Sequence, residues 1–271
     1  MADDRTGPSA PVALVVGASS GIGHATAARL SRDGYRVAAM SRRNTAPAGV
    51  LGVTGDITSP ASLARGLARV KAELGDPQVL VVTAGRTAIR PLLLTDDTLV
   101  EDLLAVNVVG PWRVVRAVAP AMARFGSGRI ILTSSLSATL GAAGQTAYAM
   151  GKAALIGMAQ TLSAEVVAQG ITVNIVVPGF VDTPMTTSLS HSVRTALASA
   201  NPRGRPASAD EVAAAISFLS GPEAAAISGA VLPVDGGEWI NGFPVTAASA
   251  RRPTPAVQLD KRCGDKTRRG L

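Results

Sequence analysis

VALVVGASSGIG, residues 12–23, opens on five apolar residues and closes on glycines at positions 17, 21 and 23. A continuous apolar run of that length suits a strand buried on both faces, as in a parallel sheet. Apolar residues at helical spacing, Ala25 to Leu30, follow the glycines and stop near Gly34. In a strand, glycine turn and helix of this kind the backbone can approach a pyrophosphate and the helix N-terminus can bind it. The spacing is G-x-x-x-G-x-G rather than the G-x-G-x-x-G of the common dinucleotide turn, so its position after a strand carries the reading.

The same alternation continues along the chain. A second strand, Tyr35 to Met40, runs into Ser41, Arg42 and Arg43. An enzyme selecting NAD tends to place an acid here for the ribose 2′-hydroxyl, whereas arginine accommodates the 2′-phosphate of NADP. The competing reading is a pair of solvated loop arginines. Leu51 to Val53 is a third strand, and the Asp56 that follows either caps the helix starting near Ser59 and Pro60 or contacts an adenine. Further strands are expected at Gln78–Val82, Arg129–Thr133, Ile171–Val177 and Val231–Val234, with helices at Ala61–Leu74, Asp97–Arg124, Ala147–Ala168 and Asp210–Leu219, the last capped by Ser208. Pro111 should disturb the helical turn that holds Asn107. Residues 180–202 read as a helical lid or substrate loop.

These elements predict an α/β fold, a single Rossmann-type, doubly wound parallel sheet flanked by helices on both faces. The domain spans 11–243, after a flexible N-terminus at 1–10 and before a basic, disordered C-terminal tail at 244–271. Of the net charge of +7, that tail carries +5, from seven basic and two acidic residues, and it holds no aromatic side chain to stack on a base. Nucleic acid is therefore not an expected partner. A single cysteine and two histidines leave no metal-site spacing. With no long apolar run and no apolar leader, a cytoplasmic protein that does not enter the membrane is expected.

SLSATLGAAGQTAYAMGK, residues 135–152, holds the chemistry-bearing groups. Tyr148 and Lys152, four residues apart, share one helix face. A phenol is a poor acid or base near neutrality until a nearby cation stabilises its phenolate, and a lysine one turn away is such a cation. Ser135 stands at the C-terminal end of a strand, where open α/β sheets bind ligands.

The glycine turn, Ala84-Gly85, Asn107, Ser135, Tyr148-x-x-x-Lys152, Pro178-Gly179 and Asp235-Gly236-Gly237 occur in this order and together resemble the short-chain dehydrogenase/reductase family over residues 10–243. Within it the chain is most similar to bacterial 3-oxoacyl-acyl-carrier-protein reductases and related polyketide ketoreductases. The resemblance implies NADPH-dependent reduction of a ketone, most closely a 3-oxoacyl thioester, with a polyketide or other secondary-metabolite ketone as the alternative. It implies Asn107, Ser135, Tyr148 and Lys152 as catalytic residues. Tyr148 would be the proton donor, Ser135 would bind the carbonyl oxygen, Lys152 would lower the tyrosine pKa, and Asn107 would fix a water. For NADP(H) it implies contacts from Gly17, Ser19, Ser20, Gly21, Ile22, Gly23, Ser41, Arg42, Arg43, Asp56, Ile57, Ala84, Gly85, Tyr148, Lys152, Pro178, Gly179, Val181 and Thr183. No metal is implied. The implied assembly is a homotetramer or homodimer, and acyl carrier protein is a possible partner. Gly126 and Gln169 stand where basic docking residues are expected, with Arg124 and Arg129 nearby to compensate. Thr83 replaces the asparagine of the family's Asn-Ala-Gly.

Overall fold

The computed structural model describes residues 10–187 and 189–241. Most of the expected flexible start and all of the expected basic tail lie outside the described residues. Seven strands form one all-parallel sheet: β1 (Val12–Val16), β2 (Arg36–Ser41), β3 (Leu51–Thr54), β4 (Val79–Val82), β5 (Gly128–Thr133), β6 (Ile171–Pro178) and β7 (Val231–Val234). The helices are α1 (Gly21–Arg32), α2 (Pro60–Glu73), α3 (Asp97–Leu104), α4 (Gly110–Phe125), α5 (Ser137–Leu140), α6 (Thr146–Val166), α7 (His191–Ala200), α8 (Ala209–Ser220) and α9 (Glu238–Asn241).

The strand order β3-β2-β1-β4-β5-β6-β7 runs outward in both directions from the β1/β4 pair. A crevice opens at such a reversal, outside the carboxyl ends of the strands. All five residues of β1 are buried, and their alternation divides them between two cores. Leu14 and Val16 join side chains of α2, α4 and α6, while Ala13 and Val15 join those of α1 and α8. Burial on both faces is why the strand reads as an unbroken apolar run.

Three local features differ from the sequence-based expectation or refine it. The helix expected over Asp97–Arg124 is broken by a π-helical turn at Ala105–Val109. Pro111 would press its ring on the carbonyl four residues earlier, which is that of Asn107, and the wider turn relieves the clash. Asp56 does not cap α2. Ser59 does, accepting from the Ser62 amide, while Asp56 accepts from the amide and hydroxyl of Thr58. Ser208 caps α8 as expected, in a reciprocal box with Glu211.

The glycine turn is packed against the end of β4. Gly17 has φ +94°, and a Cβ there would overlap the backbone of Ala84. At Gly23 a Cβ would overlap the Gly17 carbonyl and the Thr83 hydroxyl, which itself donates to the Val16 carbonyl at 3.0 Å. Thr83 thus ties β4 to β1 beneath the turn. Gly23→Ala is expected to destabilise the protein by about 1–3 kcal/mol, read as a fall in Tm of about 2–12 °C for a domain of this size; an unchanged Tm would contradict this packing.

Candidate active site

Ser135 follows β5 directly, while Tyr148 and Lys152 come from α6, and the neighbouring backbone locks these two elements together. The Ser134 hydroxyl donates to the Lys152 carbonyl at 2.8 Å, and Lys152 Nζ donates to the Thr133 carbonyl at 2.8 Å. Nζ also lies 5.9 Å from the centroid of the Tyr148 ring. Tyr148 is 9% exposed and Lys152 4%. Among the described residues no carboxylate forms an ion pair with that ammonium.

Burial dominates the protonation of both groups. It pushes the Tyr148 phenol above its ordinary value, an effect only partly offset by a hydrogen bond with Ser135. It lowers Lys152 to about 8. In the protein alone, burial and Ser135 are what shift the phenol. The buried lysine is itself weakened as a cation, and its hydrogen bond goes to a backbone carbonyl.

Asn107 is fully buried in the π-helical turn. Its Nδ2 donates to the Arg86 carbonyl at 2.8 Å, and its Oδ1 accepts from the Arg86 amide at 3.0 Å. Both ends of the amide are thus engaged with the segment that leaves β4, so the side chain positions that backbone. A Cβ on Gly85 would lie 3.2 Å from both Asn107 Oδ1 and Lys152 Nζ, so the three residues meet at one point.

A cavity of about 450 Å³ opens over these groups. Ser135, Tyr148, Lys152 and Gln145 supply polar groups, and Ile89, Met185, Leu189 and Leu197 line it with apolar surface. Of the expected cofactor contacts, Ile22, Gly85, Pro178, Gly179, Val181 and Thr183 line this cavity. Gly17, Ser19, Ser20, Gly21 and Gly23 form the turn at the start of α1, and Ser20 stands at the N-cap without a side-chain capping bond. Its amides are left for an anion. Ala84 packs on Gly17.

At the end of β2 the Ser41 hydroxyl is buried without a hydrogen-bond partner among the described residues. Arg42 and Arg43 beside it are exposed, and Arg43 Nη2 donates to the Ser19 hydroxyl at 3.2 Å. Arg42 helps hold the Asp56 carboxyl below its usual range, after the larger effect of Thr58. An orphaned hydroxyl, a second serine and two guanidiniums fit a phosphate dianion. The Ile57 side chain is buried in the core, packed beneath Gly110.

Sequence reasoning missed two features of the site. One is the pair Ser137 and Gln145, within the stretch singled out but given no role. The other is Glu238, 3% exposed, which accepts from the Asn201 amide at 2.8 Å and the Phe180 backbone at 3.1 Å. Asn201 also donates to the Asp235 carbonyl at 2.8 Å. One carboxylate therefore fastens both ends of the segment that carries α7 across the cavity. A buried acid beside an Asp-Gly-Gly turn has no signal in sequence spacing. Arg129, expected as a docking residue, instead donates to the Gly221 and Gly128 carbonyls, and Arg124 lies 3.7 Å from Asp76.

The family model described as enoyl-(acyl carrier protein) reductase matches residues 17–238. The 3-oxoacyl-[acyl-carrier-protein] reductase FabG of Escherichia coli K12 is 38% identical over 237 residues, covering 84% of this chain and 97% of the relative. The reductase MabA of Mycobacterium tuberculosis H37Rv is 38% identical over 224 residues, covering 83% and 91%. A variant of actinorhodin polyketide ketoreductase, solved with NADPH, superposes with a TM-score of 0.81 at 32% identity, covering 86% of this chain and 99% of that one. Aldohexose dehydrogenase of Thermoplasma acidophilum gives 0.80 at 27%, covering 87% and 96%. With the glycine turn at the β1/β4 crevice and Ser135, Tyr148 and Lys152 gathered in one cavity, these matches show that the chain belongs to the short-chain dehydrogenase/reductase family.

Proposed function

We propose that the protein is an NADPH-dependent ketoreductase acting on a 3-oxoacyl thioester. The observation that carries the reading is that Ser135 at the end of β5 and Tyr148 and Lys152 of α6 line one cavity. Two hydroxyls in one cavity suit a single oxygen that gains charge during reaction, which is a carbonyl oxygen being reduced. That argument favours the ketone chemistry of FabG and MabA over the reduction of a carbon–carbon double bond that the family model's description names. The supports for substrate and cofactor are FabG and MabA, both named for 3-oxoacyl-acyl-carrier-protein reduction, and the ketoreductase solved with NADPH.

NADPH, held by the glycine turn at one end and by Arg42, Arg43, Ser19 and Ser41 around its 2′-phosphate, would supply a hydride to the carbonyl carbon. Ser135 donates to the carbonyl oxygen and fixes its position. Tyr148 gives that oxygen its phenolic proton, and general acid catalysis of this kind contributes about 10²- to 10⁴-fold. The Lys152 ammonium stabilises the phenolate left behind. The apolar wall of Ile89, Met185, Leu189 and Leu197 excludes water and accepts an acyl chain.

The alternative substrate, a polyketide or other secondary-metabolite ketone, is supported by the likeness to actinorhodin ketoreductase and by the loss of basic groups at Gly126 and Gln169. Acyl carrier protein remains the proposed donor of the substrate. A domain at 11–243 and a homotetramer or homodimer complete the reading, with the exposed Trp112 and Phe125 of α4 and Met150 of α6 as apolar surface for assembly. No described helix is long and apolar enough to cross a membrane.

An NADPH-oxidation assay comparing acetoacetyl thioesters with cyclic and aromatic ketones tests the function. Turnover of the thioesters is expected, with NADPH preferred over NADH and the preference lost in Arg42→Ala/Arg43→Ala; inactivity on thioesters with turnover of cyclic ketones would favour the alternative. Tyr148→Phe should lower kcat at least about 10²-fold. In wild type, reduction needs the protonated phenol and the charged lysine, so its kcat/KM should be level below pH 8, where Lys152 begins to titrate, and should fall above it. Alcohol oxidation needs the phenolate, and because burial holds the phenol above its ordinary value of 10.0, its rise is expected only at more alkaline pH.

Lys152 also makes a stability prediction with the opposite sign to its catalytic one. Its pKa of about 8 lies below the ordinary 10.5, so the folded state disfavours its charge. The cost, on the order of 3 kcal/mol, is complete below pH 8 and vanishes as pH rises through 10.5. Lys152→Met should therefore abolish turnover while raising the Tm of the cofactor-free protein by a few degrees at neutral pH. A lower Tm would show that the bond to the Thr133 carbonyl outweighs desolvation.

A further inference from the structure

Gln145 stands at the N-cap of α6, yet its side chain makes no capping bond. It lines the catalytic cavity one helical turn before Tyr148. Its Oε1 accepts from the Ser137 hydroxyl at 2.8 Å, and Ser137 is 6% exposed. Ser137 is in turn linked to Ser135, whose Oγ lies 3.4 Å from the Ser137 hydroxyl and accepts from the Ser137 amide at 3.3 Å. The hydroxyls of Ser135 and Ser137 thus run in one chain that ends on the Gln145 amide oxygen. With Oε1 engaged, Gln145 keeps its Nε2 donors, which have no hydrogen bond among the described residues.

We propose that Gln145, oriented by Ser137, is a specificity-determining residue whose Nε2 donates to a second carbonyl of the substrate, so that the enzyme selects β-dicarbonyl compounds over simple ketones. The inference rests on the ketoreductase reading and names the substrate feature it recognises. Residues three apart on a helix face stand about 5–6 Å apart at Cβ. A ketone oxygen held by Ser135 and Tyr148 therefore leaves the carbonyl two carbons away within reach of the preceding turn. Ile89 stands beside that turn, its Cγ2 3.2 Å from where a Cβ on Gly144 would lie, and a second carbonyl set against it without a donor from Gln145 would be buried unpaired, which is costly. A simple ketone would instead leave the Gln145 donors unsatisfied. Sites built to pair a polar group discriminate most strongly against ligands that lack it.

The test compares ethyl acetoacetate with 4-ethoxybutan-2-one, which keeps the ketone, the chain length and the ether oxygen but lacks the second carbonyl. Wild type should prefer the ketoester in kcat/KM. Gln145→Leu, which removes the donor, and Gln145→Glu, which keeps the shape but replaces the donor with an ionised acceptor, should each reduce that preference by about 10- to 100-fold. Ser137→Ala, which frees the amide to rotate, should reduce it by less. The ratio of two substrates is measured on one preparation, so partial misfolding of a variant does not alter it. A preference that survives both Gln145 substitutions, or a wild type that turns over the two compounds equally, would overturn the proposal while leaving the ketoreductase reading intact. A wild type inactive on both compounds and on acetoacetyl thioesters would overturn that reading and the proposal with it.

Discussion

The site is organised around an ammonium group that the protein has taken out of water without giving it a carboxylate. Lys152 is 4% exposed and its one hydrogen bond goes to the Thr133 carbonyl at the end of β5. Burial of an unpaired cation is unfavourable, and it persists only where the surroundings fix the side chain. Here the fixing is local. Ser134 binds the lysine's own carbonyl, Gly85 leaves room where a Cβ would press on Nζ, and α6 packs along β5 and β6. The position that destabilises the fold is also the one the proposed chemistry calls on, where a cation beside Tyr148 would stabilise its phenolate when the proton leaves.

The π-helical turn at Ala105–Val109 serves the same arrangement. Regular helix from Asp97 to Phe125 would bring the Pro111 ring onto the Asn107 carbonyl, and the extra residue in the turn removes the conflict. Asn107 is thereby buried with its amide engaged on both sides by the Arg86 backbone. That pairing sets the path of the chain leaving β4, which includes Gly85 and carries on to Ile89 in the cavity wall. A local defect in one helix thus positions backbone at the crevice between β1 and β4.

Much of this was legible in the sequence because the signals were local. β1, buried on both faces, appears as an unbroken apolar run. The turn at Gly17 is marked by glycines that the packing on Ala84 and Thr83 demands. Ser208 announced its helix, and Pro111 announced a disturbed turn at Asn107. What sequence did not reveal depends on distance in space. Nothing near Tyr148 states that burial pushes its pKa up against the pull of Ser135. Asp56 as a helix cap and Asp56 as an adenine contact are equally open in the sequence, and only the fold shows Ser59 taking the cap. The Ser137 hydroxyl gains its meaning from Gln145, eight residues along the chain and across the turn at Gly141 and Gly144.

Glu238 is the clearest such case, and it bears on how the cavity is closed. Its two oxygens reach Phe180, where the chain leaves β6, and Asn201, where it leaves α7. Gly179 admits the carboxylate because a Cβ there would lie 2.6 Å from Oε2. Burial pushes the acid's pKa up while the bonds from Asn201 and Phe180 pull it down, and the nearby Asp235 adds to the upward push. A buried carboxylate accepting two hydrogen bonds costs less than one left alone, but its pairing is lost if either end of the segment moves. The segment between those ends carries Met185, Leu189 and Leu197, the apolar wall facing Tyr148. Both ends of that segment, at Phe180 and at Asn201, are thus held by one side chain that follows β7 at the far edge of the sheet.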